Sequence, residues 1–461
     1  MKLNRVMIAA PKSGSGKTTI TCALLKILKD NGESVVSFKC GPDYIDPIFH
    51  NKVIGIPSKN LDTFFTDINT TRELFVRDLT EDNFVVMEGV MGLYDGLGGV
   101  KEEGSSYNLA KITDTPIVLV IDAKGMGRSL IPMISGFLSY DSEHLIKGII
   151  LNKISKSYYE IIRPLIEKEL NVEVLGYFPE HKETYIQSRH LGLVLPDEIT
   201  NLQDQLTIVS DELKHNININ ALKAIAGNAK EIEYDPIHFQ RKDHLNKLDE
   251  TPIIAVAWDE AFCFYYHDNL HLLEDYGAKL EYFSPLHDNE LPKNCHAVLI
   301  GGGYPENYAD QLSKNISMLS SIKTAFDKGM PFVVECGGFM YLHESLIDEK
   351  GMKYNMVGAV PGTCEYTGRL VRFGYIEIKE NQSSFLPEDE IIKGHEFHYY
   401  DSTNNGKSCI AKKPLTGREY SCIIEGDNYW IGFPHLYYPS NPAFAQKFVE
   451  KAEEYKKHCV C

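Results

Sequence analysis

The sequence predicts an α/β protein of two domains, the first a mostly parallel sheet covered by helices and the second also α/β. Three observations carry this. Short unbroken β-branched runs alternate with longer amphipathic ones, as in sheets buried on both faces. A glycine-rich loop stands between the first such run and the first amphipathic stretch. A polar, highly charged stretch from Glu231 to Glu250 interrupts the pattern, which then restarts.

In the first part the expected strands are Val6 to Ala10, Val35 to Phe38, Phe84 to Glu88, Ile117 to Asp122, Ile146 to Asn152 and Val174 to Tyr177. Between the first two, Thr18 to Asp30 carries Ile20, Leu24, Leu25, Ile27 and Leu28 at helical spacing and stops at Asn31-Gly32. In the second part Ile253 to Trp258, Ala297 to Gly301 and Phe332 to Glu335 repeat the buried-strand pattern, and Val371 to Ile378 reads as antiparallel. The 461 residues suit two cores, which places the domains at 1–235 and 250–461.

A net charge of −17 argues against a nucleic-acid partner, and no lysine or arginine stripe offsets it. No apolar run reaches membrane-spanning length, and Met1 to Ala10 runs into the glycine loop without a leader pattern, so a cytoplasmic protein is expected. The ten cysteines are expected to be reduced there, without a CxxC pair, and His458-Cys459-Val460-Cys461 reads as a solvated tail.

Ser13-Gly14-Ser15-Gly16-Lys17-Thr18-Thr19 has the strand-loop-helix setting of an ATP-binding loop. Its amides and the helix N-terminus suit phosphate oxygens, Lys17 supplies a point charge, and the Thr18 hydroxyl suits Mg²⁺. Pro11 stands where the loop usually begins with glycine, and Lys12 has the spacing of the extra lysine of MinD-like ATPases, although a solvated lysine is the simpler reading. Two acidic loops follow strands. Asp43, Tyr44 and Asp46 lie in Phe38-Lys39-Cys40-Gly41-Pro42-Asp43-Tyr44-Ile45-Asp46-Pro47, and Glu88 and Asp95 in Glu88-Gly89-Val90-Met91-Gly92-Leu93-Tyr94-Asp95-Gly96. Carboxylates at the C-terminal ends of parallel strands suit a metal or substrate near a nucleotide, and Glu88 ends a buried strand, where a metal-associated carboxylate would sit.

In the second part, Val333-Val334-Glu335-Cys336-Gly337-Gly338 turns sharply from strand to helix, which exposes a nucleophile and favours its thiolate. His435, in Gly432-Phe433-Pro434-His435-Leu436-Tyr437, is the expected base. Gly302 and Gly303, with Gly337, are the expected oxyanion hole. Gly394-His395-Glu396-Phe397-His398-Tyr399 reads as an alternating strand with one functional face, expected at the interface of the two domains or at the edge of the substrate rather than as a metal site.

The first-half blocks FKCGPDYIDP, Asn60-Leu61-Asp62 and EGVMGLYDG, with the phosphate loop, resemble the cobyrinate a,c-diamide synthases, and the Cys-Gly-Gly elbow resembles that of class I glutamine amidotransferases. The resemblance runs from Ala9 to about Asn441. It implies an N-terminal P-loop NTPase-like mostly parallel sheet with helices on both faces, plus a C-terminal class I glutamine amidotransferase-like α/β domain. It implies a ligase that uses ATP, Mg²⁺ and L-glutamine to amidate two acetate carboxylates of cobyrinate, with Asp43, Asp46, Glu88 and Asp95 lining the ATP and corrinoid site. The same chemistry on Ni-sirohydrochlorin or hydrogenobyrinate, and a non-catalytic MinD-like switch, are the rival readings. A homodimer is compatible with all of them. One departure is visible: amidotransferases of this class keep a glutamate two residues after the histidine, and here Tyr437 stands there.

Overall fold

The computed structural model describes residues 1–180, 188, 189, 192, 193, 202–237, 251–382 and 384–459. The chain divides into two compact units, Met1–Ile237 and His238–Cys461. Residues 238–250 of the expected linker, and the thiols of Cys459 and Cys461, lie outside the described residues.

The first unit is built on strands β1 (Asn4–Ala9), β2 (Ser34–Cys40), β3 (Ser58–Leu61), β4 (Asn83–Glu88), β5 (Ile117–Asp122), β6 (Ile146–Asn152) and β7 (Glu173–Phe178). They form one sheet in the order β3-β2-β4-β1-β5-β6-β7, parallel throughout. The central strands are apolar along their length because both faces are covered. Val6, Ile8, Val85, Val118 and Leu119 are fully buried, each contributing about 1.5–3 kcal/mol by leaving water. All six strands expected from the sequence are present. The seventh, β3, was not expected, because Ser58-Lys59-Asn60-Leu61 is polar and lies at the sheet edge.

Helix α1 (Lys17–Asp30) buries Ile20, Leu24, Leu25, Ile27 and Leu28 on one face and ends at Asn31, with Gly32 left-handed. It begins after Gly16, whose φ of 89° favours glycine. A Cβ there would also meet Asn152 Nδ2 at the end of β6.

The second unit has a six-stranded sheet ordered Lys279–Phe283, Ile253–Ala257, Ala297–Ile300, Phe332–Glu335, Tyr429–Gly432 and Ile424–Gly426. The last strand is antiparallel and the others are parallel. Side chains alternate between two cores, as a period of two requires. Val298, Ile300, Phe332, Val334 and Ile431 pack on one face, and Ile254, Val256, Leu299, Val333 and Trp430 on the other. Arg372–Glu380 does pair antiparallel, with Ile391–His398. Among the described residues, no helix is long and apolar enough to cross a membrane.

Candidate active site

In the first unit the phosphate loop is fastened from beneath. Asn152 Nδ2 donates to Ser15 O (2.8 Å) and Lys153 Nζ to Gly14 O (3.2 Å), while Lys153 also pairs with Asp122 (2.8 Å). Ser13 and Lys12 are exposed, Ser15 and Lys17 are buried, and Thr18 and Thr19 are half-buried at the head of α1. Lys17 Nζ donates to Met91 O at 2.8 Å. Burial, then the neighbouring Lys39 ammonium, lowers its pKa to about 8.

Register explains the next layer. Lys39 of β2 lies opposite Glu88 of β4, at the C-terminal edge where α/β sheets hold ligands. Glu88 Oε1 accepts from the Thr18 hydroxyl (2.6 Å) and from Lys39 Nζ (3.1 Å), and Lys39 also pairs with Asp46. His50 Nε2 lies 3.4 Å from Glu88 Oε2, and its Nδ1 is bonded to the Ser37 hydroxyl at 2.9 Å. Glu88, Lys39, Asp46 and His50 are all buried.

Burial opposes ionisation of Glu88, but Lys39, His50 and Thr18 outweigh it and hold its carboxyl well below the usual range. Burial likewise opposes the Lys39 ammonium, but Asp46, Glu88 and Asp43 outweigh it and hold its pKa high. Asp46 is raised by burial and by Glu88. Burial and Asp46 push Asp43 up to about 8. Sequence reasoning passed over Lys39 and His50, although the strand position of Lys39, one residue before the Cys40-Gly41 turn, was a usable signal. Removing one partner of a buried ion cluster strands the rest. Lys39→Met is therefore expected to lower unfolding free energy by about 3–5 kcal/mol, read from urea denaturation at neutral pH.

Asp43 Oδ1 accepts from Ile45 N (2.8 Å), starting the short helix Ile45–Phe49, with Tyr44 buried at its cap. Asn60 Nδ2 clamps this loop from β3 by donating to Gly41 O and Asp43 O, both at 2.8 Å. Asp95 serves its own loop, where Oδ2 accepts from Gly92 N (3.0 Å), and it makes no ion pair among the described residues.

In the second unit three adjacent parallel strands deliver the expected groups to one edge. Ala297–Ile300 leads into Gly302 and Gly303, Phe332–Glu335 into Cys336, and Tyr429–Gly432 toward His435. Cys336 N donates to Gly432 O at 2.8 Å, and Gly338 N to Gly301 O at 3.0 Å. Cys336 has φ 48° and ψ −104°, a strained conformation for a residue with a side chain. A Cβ at Gly337 would sit 3.0 Å from Gly303 N, and one at Gly302 would sit 2.4 Å from His435 Cε1. Gly302→Ala is accordingly expected to displace the imidazole and to reduce the glutamine hydrolysis that the resemblance implies about 10-fold or more, measured as glutamate release.

The thiolate expectation needs correction. Cys336 is 7% exposed and the helix after it, Gly337–Leu342, has six residues. Burial, with Glu306 and Glu335 nearby, pushes the thiol pKa well up, so desolvation outweighs the helix terminus. His435 is also buried, which lowers its pKa to about 3, with His398 adding to the effect. Burial thus favours the neutral form of each group.

His395 stacks on His435 (centroids 4.9 Å apart, 14° between planes) and meets the Tyr266 hydroxyl at 3.0 Å. His398 stacks on Phe433 at 4.0 Å. Tyr437 donates its hydroxyl to Asp268 Oδ2 at 2.8 Å. Glu335 Oε2 lies 3.9 Å from His435 Nδ1, a neighbour the sequence reading treated only as the end of a strand.

Two family models match. Residues 6–193 match the CobQ/CobB/MinD/ParA nucleotide binding domain, and residues 253–432 the CobB/CobQ-like glutamine amidotransferase domain. The cobyrinate a,c-diamide synthase of Clostridium tetani is 43% identical over 97% of this chain and all of its own. That of Caldanaerobacter subterraneus is 37% identical over 97% of this chain and 98% of its own, and that of Listeria innocua 37% over 96% and 98%. With identity at this level along nearly the whole of both chains, the chain belongs to the cobyrinate a,c-diamide synthase family.

Proposed function

We propose that the protein amidates the a and c acetate carboxylates of cobyrinate, using ATP and ammonia released from glutamine. The observation that carries this is the pairing of two sites on one chain: a phosphate loop abutting a buried Lys39-Glu88-Asp46 cluster, and a strained cysteine elbow sharing a sheet edge with His435. A carboxylate does not accept ammonia, because its oxygen is a poor leaving group. Transfer of the γ-phosphoryl group to a carboxylate oxygen releases ADP and makes an acyl phosphate. Ammonia then attacks the acyl carbon and the C–O bond to phosphate breaks. In this reading Lys17 and the amides of residues 13–19 hold the phosphates. Asp43, Tyr44 and Asp46 orient substrate and nucleotide beside Lys39, and Asp95 shapes the adjoining loop.

The donor set fits Mg²⁺. The Thr18 hydroxyl and the Glu88 carboxylate are hard oxygen ligands held 2.6 Å apart, and Glu88 Oε2 is buried without a well-formed hydrogen bond. A bound Mg²⁺ would neutralise charge on the nucleotide phosphates.

In the second site the Cys336 sulfur attacks the glutamine carboxamide as its proton passes to His435. The N–H groups around Gly302, Gly303 and Gly337 receive the developing oxyanion. His435 returns the proton to departing ammonia, and water cleaves the thioester to glutamate.

Incubation with ATP, Mg²⁺, glutamine and a panel of tetrapyrrole acids tests the whole reading. Mass spectrometry is expected to find two carboxyl-to-amide conversions on cobyrinate. Conversion of Ni-sirohydrochlorin or hydrogenobyrinate in preference would reassign the substrate, and no conversion of any member would refute the activity.

A further inference from the structure

Glutamine hydrolysis as proposed above requires His435 to gain a proton, yet burial holds the imidazole near a pKa of about 3. A buried imidazolium needs a counter-charge. Tyr437, at the position where a glutamate is usual in this class, has its hydroxyl engaged by Asp268 at 2.8 Å. A carboxylate reaches the ring from a different part of the chain, for Glu335 Oε2 stands 3.9 Å from Nδ1.

We propose that Glu335, the residue immediately before the nucleophile, is the positioning residue for His435, facing Nδ1 so that Nε2 serves the thiol. This rests on the glutaminase reading and adds its missing acid. The geometry favours it in two ways. Glu335 ends the strand that carries Cys336 and lies in register with Gly432, three residues before His435, so one strand pair sets both partners. Its carboxylate is also held by the segment that bears the base, through the Leu436 N–H and the Tyr438 hydroxyl (3.4 Å from Oε1).

No proton needs to leave Glu335 during a turnover that starts from its ionised form. The thiol proton moves to His435 as the S–C bond forms, then to ammonia as the C–N bond breaks. Glu335 remains a carboxylate opposite the transient imidazolium.

The groups facing Glu335 are His435 and Tyr438 from the 435–440 segment, Tyr265 from the loop after Phe262–Phe264, and Cys336 beside it in the chain. His395 stacks on His435, and His398 and Glu396 act on it electrostatically. Burial raises the Glu335 carboxyl to about 8. Below that pH the carboxyl is protonated and gives no counter-charge; above it the carboxylate is present. Glutamate release should therefore increase with pH through an inflection near 8.

The test uses the full chain and measures glutamate release across the neutral to alkaline range, alongside amidation driven by ammonium salts. Glu335→Gln is expected to lower kcat for glutamine about 10- to 100-fold, leave KM within about threefold, and abolish the inflection. Glu335→Asp should recover part of the rate, and ammonium-driven amidation should stay at the native level in both. An unchanged kcat, or an inflection that persists in Glu335→Gln, overturns the proposal.

Glu306, raised by burial to about 7 and electrostatically linked to Cys336, and Glu396, whose charge raises the His435 pKa, are the competing carboxyls. Loss of the inflection in Glu306→Gln would likewise overturn the assignment. Should Glu335→Gln also lose ammonium-driven amidation, the native protein decides: inactivation by a diazoketone analogue of glutamine must show the same inflection, and a flat profile refutes it. Cys336→Ala, run in parallel, separates the two readings. If that variant releases glutamate at the native rate, the glutaminase assignment itself fails. If it is inactive while Glu335→Gln is unaffected, only the role of Glu335 fails.

Discussion

Lys17→Ala is expected to eliminate amide formation whether the nitrogen comes from glutamine or from ammonium, with a fall of at least about 100-fold. Lys17 is buried at the head of a helix, and its ammonium is lowered to about 8 by burial and by Lys39. Both facts describe a cation kept in a site that lacks enough negative charge until an anion arrives. The ammonium donates to Met91 O at 2.8 Å, and Met91 has a left-handed φ of 45°. A single carbonyl is a weak partner for a full charge, so a polyphosphate has little to displace. Removing a preorganised charge from a desolvated site costs about 3–4 kcal/mol in the transition state. Because the proposed mechanism activates the carboxylate before the nitrogen step, both nitrogen sources should fall together, seen as loss of substrate-dependent ADP formation. Lys17→Arg should not restore the rate, since a planar guanidinium does not reproduce a compact ammonium among buried neighbours. Ammonium-driven synthesis at the native rate in Lys17→Ala would place the phosphoryl transfer elsewhere.

How far the sequence revealed this arrangement depended on what each residue packs against. Strands such as Ile117–Asp122 were legible because burial on both faces writes itself as an unbroken apolar run. Ser58–Leu61 and Lys279–Phe283 were not, because edge strands keep polar residues and resemble loops. The phosphate loop, the cysteine elbow and the glycines were legible because backbone geometry demands those residue types at those places. Lys39, His50 and Glu335 were not, since a charged residue near a strand end reads as solvated unless its partner across the sheet is known. Register supplies that partner: Lys39 lies opposite Glu88, and Glu335 opposite Gly432. The burial of Cys336 is hidden from the sequence for a related reason. A helix terminus is visible in sequence, whereas the desolvation that outweighs it is a property of the packed fold.

Cys336→Ala should divide the two half-reactions: glutamine-dependent amidation falls below detection while ammonium-dependent amidation persists. A φ of 48° with ψ −104° costs of order 1–3 kcal/mol and is unfavourable for alanine as for cysteine. The substitution removes one sulfur without relieving the backbone, and Cys336 N still donates to Gly432 O. Stability should change little beyond the small cavity left by the sulfur, so loss of activity can be assigned to chemistry. Among the described neighbours none is a ready substitute: His435 is a base held neutral by burial, the carboxyls of Glu306 and Glu335 are raised by burial to about 7 and about 8, and burial pushes the Cys364 thiol well up. Without the thiol, the amide C–N bond of glutamine has no nucleophile to open it. The phosphate loop, Lys39 and Glu88 belong to the other compact unit and keep their contacts. Free ammonia, supplied at a concentration that replaces the internal source, should then meet the same activated carboxylate. A variant inactive with ammonium as well would mean that the sulfur takes part in amide synthesis itself, and the separation into an activating site and a nitrogen-releasing site would have to be abandoned.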